Sequence, residues 1–146
     1  MQTIIESKKD NLVLSTDPNR LNIDAICDFL AQAYWADTRT RKTIERSLKN
    51  SLVFAVYDGD RQVAMARVVS DYATFAWLCD VFVHPDYRDR GISKWLMQEI
   101  LAYPDLQGLR RWILASSTAR SLYSQFGFSQ LQNPERWMEL FDQAAT

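Results

Sequence analysis

Apolar residues alternate between two spacings along the chain, and each change of spacing marks an element. The run NLVLS at 11–15 predicts a short strand ahead of a Pro18 turn. From about 21 to 34, Ile26, Phe29, Leu30 and Ala33 recur at helical spacing and predict an amphipathic helix. After the break YWADTRT, a second and more polar helix is predicted from about 40 to 49. The period then shortens to that of a strand. SLVFAVYDGDRQVAMARVVSD holds two β-rich runs flanking Asp58-Gly59, which suits a tight hairpin. FAWLCDVFV follows as a third strand, so apolar throughout that it predicts cover on both faces.

Beyond Pro85, the stripe Ile92, Trp95, Leu96 and Ile100 predicts a helix from about 91 to 102. RRWILAS reads as a buried strand. TARSLYSQFG reads as a helix with Ala119, Leu122, Tyr123 and Phe126 on one face and Gly127 as its stop. The tail, with ERWMEL, predicts one or two final strands. No repeat, low-complexity tract or linker interrupts the chain, so the expected order is βααβββαβαββ in one α/β domain spanning 1–146.

Composition narrows the function classes. With 146 residues, 47% of them hydrophobic and 24% charged, the chain can bury a core without disulfides or metal. A formal net charge of -1 supplies no global positive field for a polyanion, so nucleic acid is not an expected partner. One histidine and two isolated cysteines, Cys27 and Cys79, argue against a zinc site, and no metal is expected. MQTIIESKKD lacks a signal-peptide pattern and no long apolar run occurs, so the expected location is the cytoplasm, away from membranes.

Local chemistry concentrates in VHPDYRDRGISKWL, residues 83–96. Only four glycines occur, and Gly91 falls between a strand and a helix, beside Arg88, Arg90 and Lys94. A helix N-terminus presents unpaired N–H groups and a partial positive charge, and a glycine there lets an anion approach the backbone. The turn from 88 to 94 would therefore suit a pyrophosphate. Neither GxxxxGK[ST] nor GxGxxG occurs, which rules out a mononucleotide P-loop or a Rossmann site.

RDRGIS does fit [Q/R]xxGx[G/A], apart from Ser93 in the last position, and LYSQFGF resembles an LYxxxGF element. In order and spacing, residues 51–130 resemble the GNAT superfamily of N-acetyltransferases. YWADTR, DYATFAWLCDVFVHPDYR and ERWMEL further resemble a group of its small single-domain members. The resemblance implies a GNAT-like mixed, largely antiparallel twisted sheet flanked by about four helices. It also implies acetyl-CoA as cosubstrate, bound at backbone groups of Val81 and Val83 and by Arg88, Asp89, Arg90, Gly91, Ser93 and Lys94. Ser117 falls where the family often has an asparagine on the pantetheine arm. Both serines are small and can donate hydrogen bonds.

Tyr123 matches the family's leaving-group acid; as a residue it also suits a plain buried tyrosine. An attacking amine must first lose a proton, and an alkylamine of pKa about 10.4 is under about 0.1% neutral at pH 7. Asp80, three residues before Val83, is the first candidate base, with an ion pair to Arg67 as its alternative role. His84 reads as a surface residue at a strand end. For the acceptor, Trp35, Tyr72 and Phe75 could form an apolar pocket and Arg39 could receive a carboxylate, while aromatics in a small domain also serve the core. The implied activity is N-acetyl transfer by direct attack in a ternary complex, onto a small-molecule or peptide amine. The alternative is a non-catalytic acyl-CoA sensor. GNAT folds often pair through edge strands, which allows a homodimer.

Overall fold

The computed structural model describes residues 3–146 and divides into two compact units, one running to Leu114 and one from Ala115 to Thr146. The first unit holds a single six-stranded sheet in sequential order: β1 Glu6–Lys9, β2 Leu12–Ser15, β3 Leu52–Asp58, β4 Arg61–Ser70, β5 Phe75–Val83 and β6 Arg111–Ile113. Every neighbouring pair is antiparallel except β5 with β6, which is parallel. The sheet is mixed and largely antiparallel, as expected. Among the described residues, no helix is long and apolar enough to cross a membrane.

Helices α1 Ile23–Ala31 and α2 Arg41–Lys49 begin where side chains take up otherwise unpaired N–H groups. Asn22 accepts from the Ala25 N–H, and Thr40 accepts from the Thr43 N–H. Their apolar stripes close over one sheet face: Ile26, Phe29, Leu30, Ile44 and Leu48 pack with Val53, Met65 and Phe82. Phe29 stacks on Phe82 with ring centroids 4.8 Å apart. Helix α3, Ile92–Ala102, buries Ile92, Trp95, Leu96, Met97 and Ile100.

The pairing departs from regularity at Val56/Tyr57 between β3 and β4 and again between β4 and β5. Met65 pairs with Phe82 and Arg67 with Cys79, so Asp80 and Val81 together oppose Ala66 in a β-bulge. Asp80 accordingly adopts φ 52, the left-handed region. β5 is not covered on both faces as its apolar run suggests. Ala76, Leu78, Asp80 and Phe82 are buried, while Trp77 is 42% exposed.

Two further elements differ from the sequence reading. β1 is an added strand, paired with β2 across a tight turn at Asp10. The predicted final strands do not form, because strand structure needs a partner backbone and a buried face, and the tail has neither. Pro134–Arg136 make one 3-10 turn, and Met138 and Leu140 are 95% and 103% exposed. The second unit otherwise contains α4, Arg120–Ser124, which ends as Gly127 takes φ 92 and turns Phe128 back against Tyr123.

Candidate functional site

The strand–turn–helix segment 83–94 is built by short-range constraints. Pro85–Tyr87 form a 3-10 turn capped by His84, whose Nδ1 accepts the Asp86 N–H, so the single histidine has a turn-capping role. Tyr87 anchors the turn: it is buried, and its hydroxyl donates to Asp58 Oδ2 at 2.6 Å. The guanidinium groups of Arg61 and Arg90 lie 5.3 and 4.9 Å from the Tyr87 ring centroid. Arg88 turns back to the strand, with Nε donating to the Val83 carbonyl at 3.0 Å. Asp89 and Gly91 have φ 63 and φ 77, a sharp reversal that delivers the chain into α3.

Gly91 is the N-cap of α3 and supplies no side-chain capping bond. The first intrahelical bond runs from the Trp95 N–H to the Gly91 carbonyl, so the N–H groups of Ile92, Ser93 and Lys94 have no partner within the helix. A β-carbon at position 91 would lie 3.2 Å from Lys9 Nζ. Lys9 can swing aside, but the backbone cannot relax as easily. Gly91→Ala is expected to cost about 1–2 kcal/mol through its left-handed backbone, measurable as a lowered denaturation midpoint.

Beside this helix start, β5 presents an open backbone edge. Its parallel pairing with β6 involves only Phe75, Ala76 and Trp77, leaving Leu78 to Val83 without a strand on that side among the described residues. The His84 N–H donates to Val63 O at 2.8 Å, and Val83 pairs with Ala64. The hydrogen-bonding direction alternates along an antiparallel pair, so the Val83 N–H points away from β4, toward the open edge.

Asp80 lies beneath the other face in a closed set of bonds. Arg67 Nε and Arg39 Nη1 donate to its Oδ2 at 2.8 and 2.9 Å, and Trp35 Nε1 donates to its Oδ1 at 2.9 Å. Arg67 also donates to Ser51 Oγ. Burial pushes the Asp80 carboxyl up, but the charges and hydrogen bonds of Arg67 and Arg39 outweigh it and hold the group below the usual carboxylate range. Such a carboxylate is a poor proton acceptor at neutral pH. Nearby Cys79 is pushed up to about 11, chiefly by burial, which keeps its thiol protonated and weakly nucleophilic.

Of the four residues that the sequence reading offered for an acceptor pocket, the structure brings Trp35 and Arg39 together on Asp80. Tyr72 lies in the β4–β5 turn and Phe75 at the start of β5, both half-buried, and the Tyr72 phenol influences Tyr103, beyond α3. Ser117 is exposed and Tyr123 buried in the second unit, where burial raises the Tyr123 phenol above its ordinary pKa. Sequence reasoning missed Tyr87 and Lys9. Tyr87 was visible as an aromatic next to the basic turn, whereas Lys9 carries no local signal.

An acetyltransferase (GNAT) domain model matches residues 49–130. A crystal structure from Xanthomonas campestris pv. campestris, described as belonging to the GNAT family, is 45% identical with a TM-score of 0.89, covering 92% of this chain and 96% of that one. The uncharacterized N-acetyltransferase ycf52 of Gracilaria tenuistipitata var. liui is 28% identical, covering 75% of this chain and 62% of its own. A GNAT family acetyltransferase from Elizabethkingia anophelis, solved with acetyl-CoA bound, shares the fold at a TM-score of 0.65 and 12% identity, covering 94% of this chain and 92% of that one.

Proposed function

The chain belongs to the GNAT family of acetyltransferases, and on that premise we propose that it moves the acetyl group of acetyl-CoA to a primary amine by direct attack within a ternary complex. The observation that carries this reading is the open edge of β5 from Leu78 to Val83 beside the uncapped N-terminus of α3. The residues fit the ligand. The N–H groups of Ile92, Ser93 and Lys94 suit a pyrophosphate, and Gly91 leaves its approach clear. Val81 and Val83 offer backbone groups to the pantetheine arm and the acetyl carbonyl.

The Val83 N–H would stabilise the negative charge that develops on the carbonyl oxygen as the amine attacks, acting as a fixed dipole that needs no reorganisation. Tyr123 would donate to the departing thiolate. Asp80 serves as scaffold, since its three hydrogen bonds and lowered pKa suit a charge anchor better than a base. The high pKa of Cys79 favours direct attack over an acetylated enzyme. We place the reaction in the cytoplasm and take the acceptor to be a small-molecule or peptide amine.

Calorimetric titration with acetyl-CoA, with NAD and ATP as phosphate-bearing controls, tests the ligand. Selective binding at micromolar affinity or tighter is expected, and CoA release on a panel of amines then tests turnover. Selective binding without release on any amine would favour the acyl-CoA sensor. Equal binding of all three nucleotides would remove the acetyl-CoA assignment.

A further inference from the structure

The N-terminal segment runs along α3 in the opposite direction and ends at the N-terminal tip of that helix. The Thr3 N–H and hydroxyl donate to Asp105 at 3.1 and 2.8 Å, and the Tyr103 hydroxyl donates to the Thr3 carbonyl, all at the C-terminal end of α3. Ser7 Oγ donates to Glu99 Oε1 at 3.1 Å, further toward the helix start. Lys9, on the same side of β1 as Ser7, brings its Nζ to Gly91. The lengths agree: the six steps from Thr3 to Lys9 span at most about 20 Å of extended chain, and the twelve from Gly91 to Tyr103 rise about 18 Å in a helix.

We propose that Lys9 is a phosphate-binding residue for acetyl-CoA, held at the start of α3 by the β1–β2 hairpin. The inference rests on the acetyl-CoA reading above and adds a residue from a distant part of the chain. Two of the turn's own cations are committed elsewhere: Arg88 to the Val83 carbonyl and Arg90 to the Tyr87 ring. Lys9 makes no ion pair among the described residues, and its exposed side chain stands where N–H groups and the helix dipole already favour an anion. Its backbone is fixed as well, since Lys9 pairs with Leu12 directly before the Asp10 turn. The ammonium can therefore meet a phosphate oxygen without ordering a loose loop, which is the advantage of a preorganised ligand.

The test is calorimetry of acetyl-CoA with the full chain and its Lys9→Met and Lys9→Arg variants. Both substitutions are at an exposed side chain, so folding should survive, and thermal melts check it. Lys9→Met is expected to weaken binding about tenfold, while Lys9→Arg stays within about threefold of the parent. Acetyl-dephospho-CoA then identifies the phosphate. An undiminished Lys9→Met effect assigns the pyrophosphate, and a vanished one assigns the 3′-phosphate; either supports the proposal. Equal affinity of the parent and Lys9→Met would overturn it, and so would equal losses in both variants, because shape rather than charge would then matter. If the parent chain itself fails to bind acetyl-CoA, the parent reading fails and Lys9 falls with it, a result distinct from the other two.

Discussion

Replacing Asp80 with alanine is expected to remove about 3–5 kcal/mol of stability, the usual cost of stripping one partner from a buried ion pair. The loss follows from what stays behind. The Arg67 side chain is only 9% exposed and would keep its charge while still donating to Ser51 Oγ, and Arg39 and Trp35 would lose their shared acceptor. Against a typical domain stability of about 5–15 kcal/mol, that is a large fraction. Urea denaturation at neutral pH measures it. Adding Arg67→Met should recover part of the loss by removing the orphaned charge, and the cycle isolates the coupling. A cost below about 1 kcal/mol for Asp80→Ala would show that the network contributes little.

The same network sets an acid dependence. The folded-state pKa of Asp80 is depressed, so its contribution is present above the unfolded-state value, about 3.9, and disappears as pH falls through the lower folded-state value. Stability from this source should persist at pH 5 and fade only in stronger acid. Asp80→Asn removes that component. If Asp80 is scaffold, the acidic limb of the pH–rate profile will keep its position in Asp80→Asn, measured where the variant is folded. A shifted limb would restore Asp80 as the base.

The sheet was legible because its middle is written in strong local signals: Asp58-Gly59 between two β-rich runs, and helical stripes at Ile26–Leu30 and Ile92–Ile100. The Gly91 turn was legible because a glycine set among cations directly before a helical stripe marks a sharp turn into a helix start open to an anion. What escaped depends on distant contacts. ESKK at 6–9 has no apolar alternation and becomes a strand only because β2 supplies its partners, while Ser7 and Thr3 tie it along α3. The bulge at Asp80 is likewise a tertiary outcome: φ 52 is costly for a non-glycine residue, and three donors to the carboxylate fix it there. At the C-terminus, ERWMEL has strand composition, but composition cannot provide a pairing edge.

Tyr123→Phe is expected to lower kcat about 100- to 1,000-fold while changing acetyl-CoA affinity less than about twofold. Its ring is buried edge-on to Phe128, yet its hydroxyl has no hydrogen-bond partner among the described residues. A phenol used only for packing would lose nothing on conversion to phenylalanine, so the substitution separates the two roles. Burial raises its pKa, which keeps the proton in place at neutral pH and makes complete transfer unfavourable. Even at reference values of about 10 for tyrosine and about 8.5 for a thiol, transfer to the thiolate is uphill by about 2 kcal/mol. Tyr123 should therefore act by hydrogen-bonding the charge that grows on sulfur, an interaction made in the transition state and absent from the bound thioester. This predicts kcat and kcat/KM falling together, with unchanged folding stability. Single-turnover release of CoA, read beside calorimetric affinity and a thermal melt, measures all three. An undiminished turnover rate would leave Tyr123 as a packing residue and require another donor for the departing thiolate.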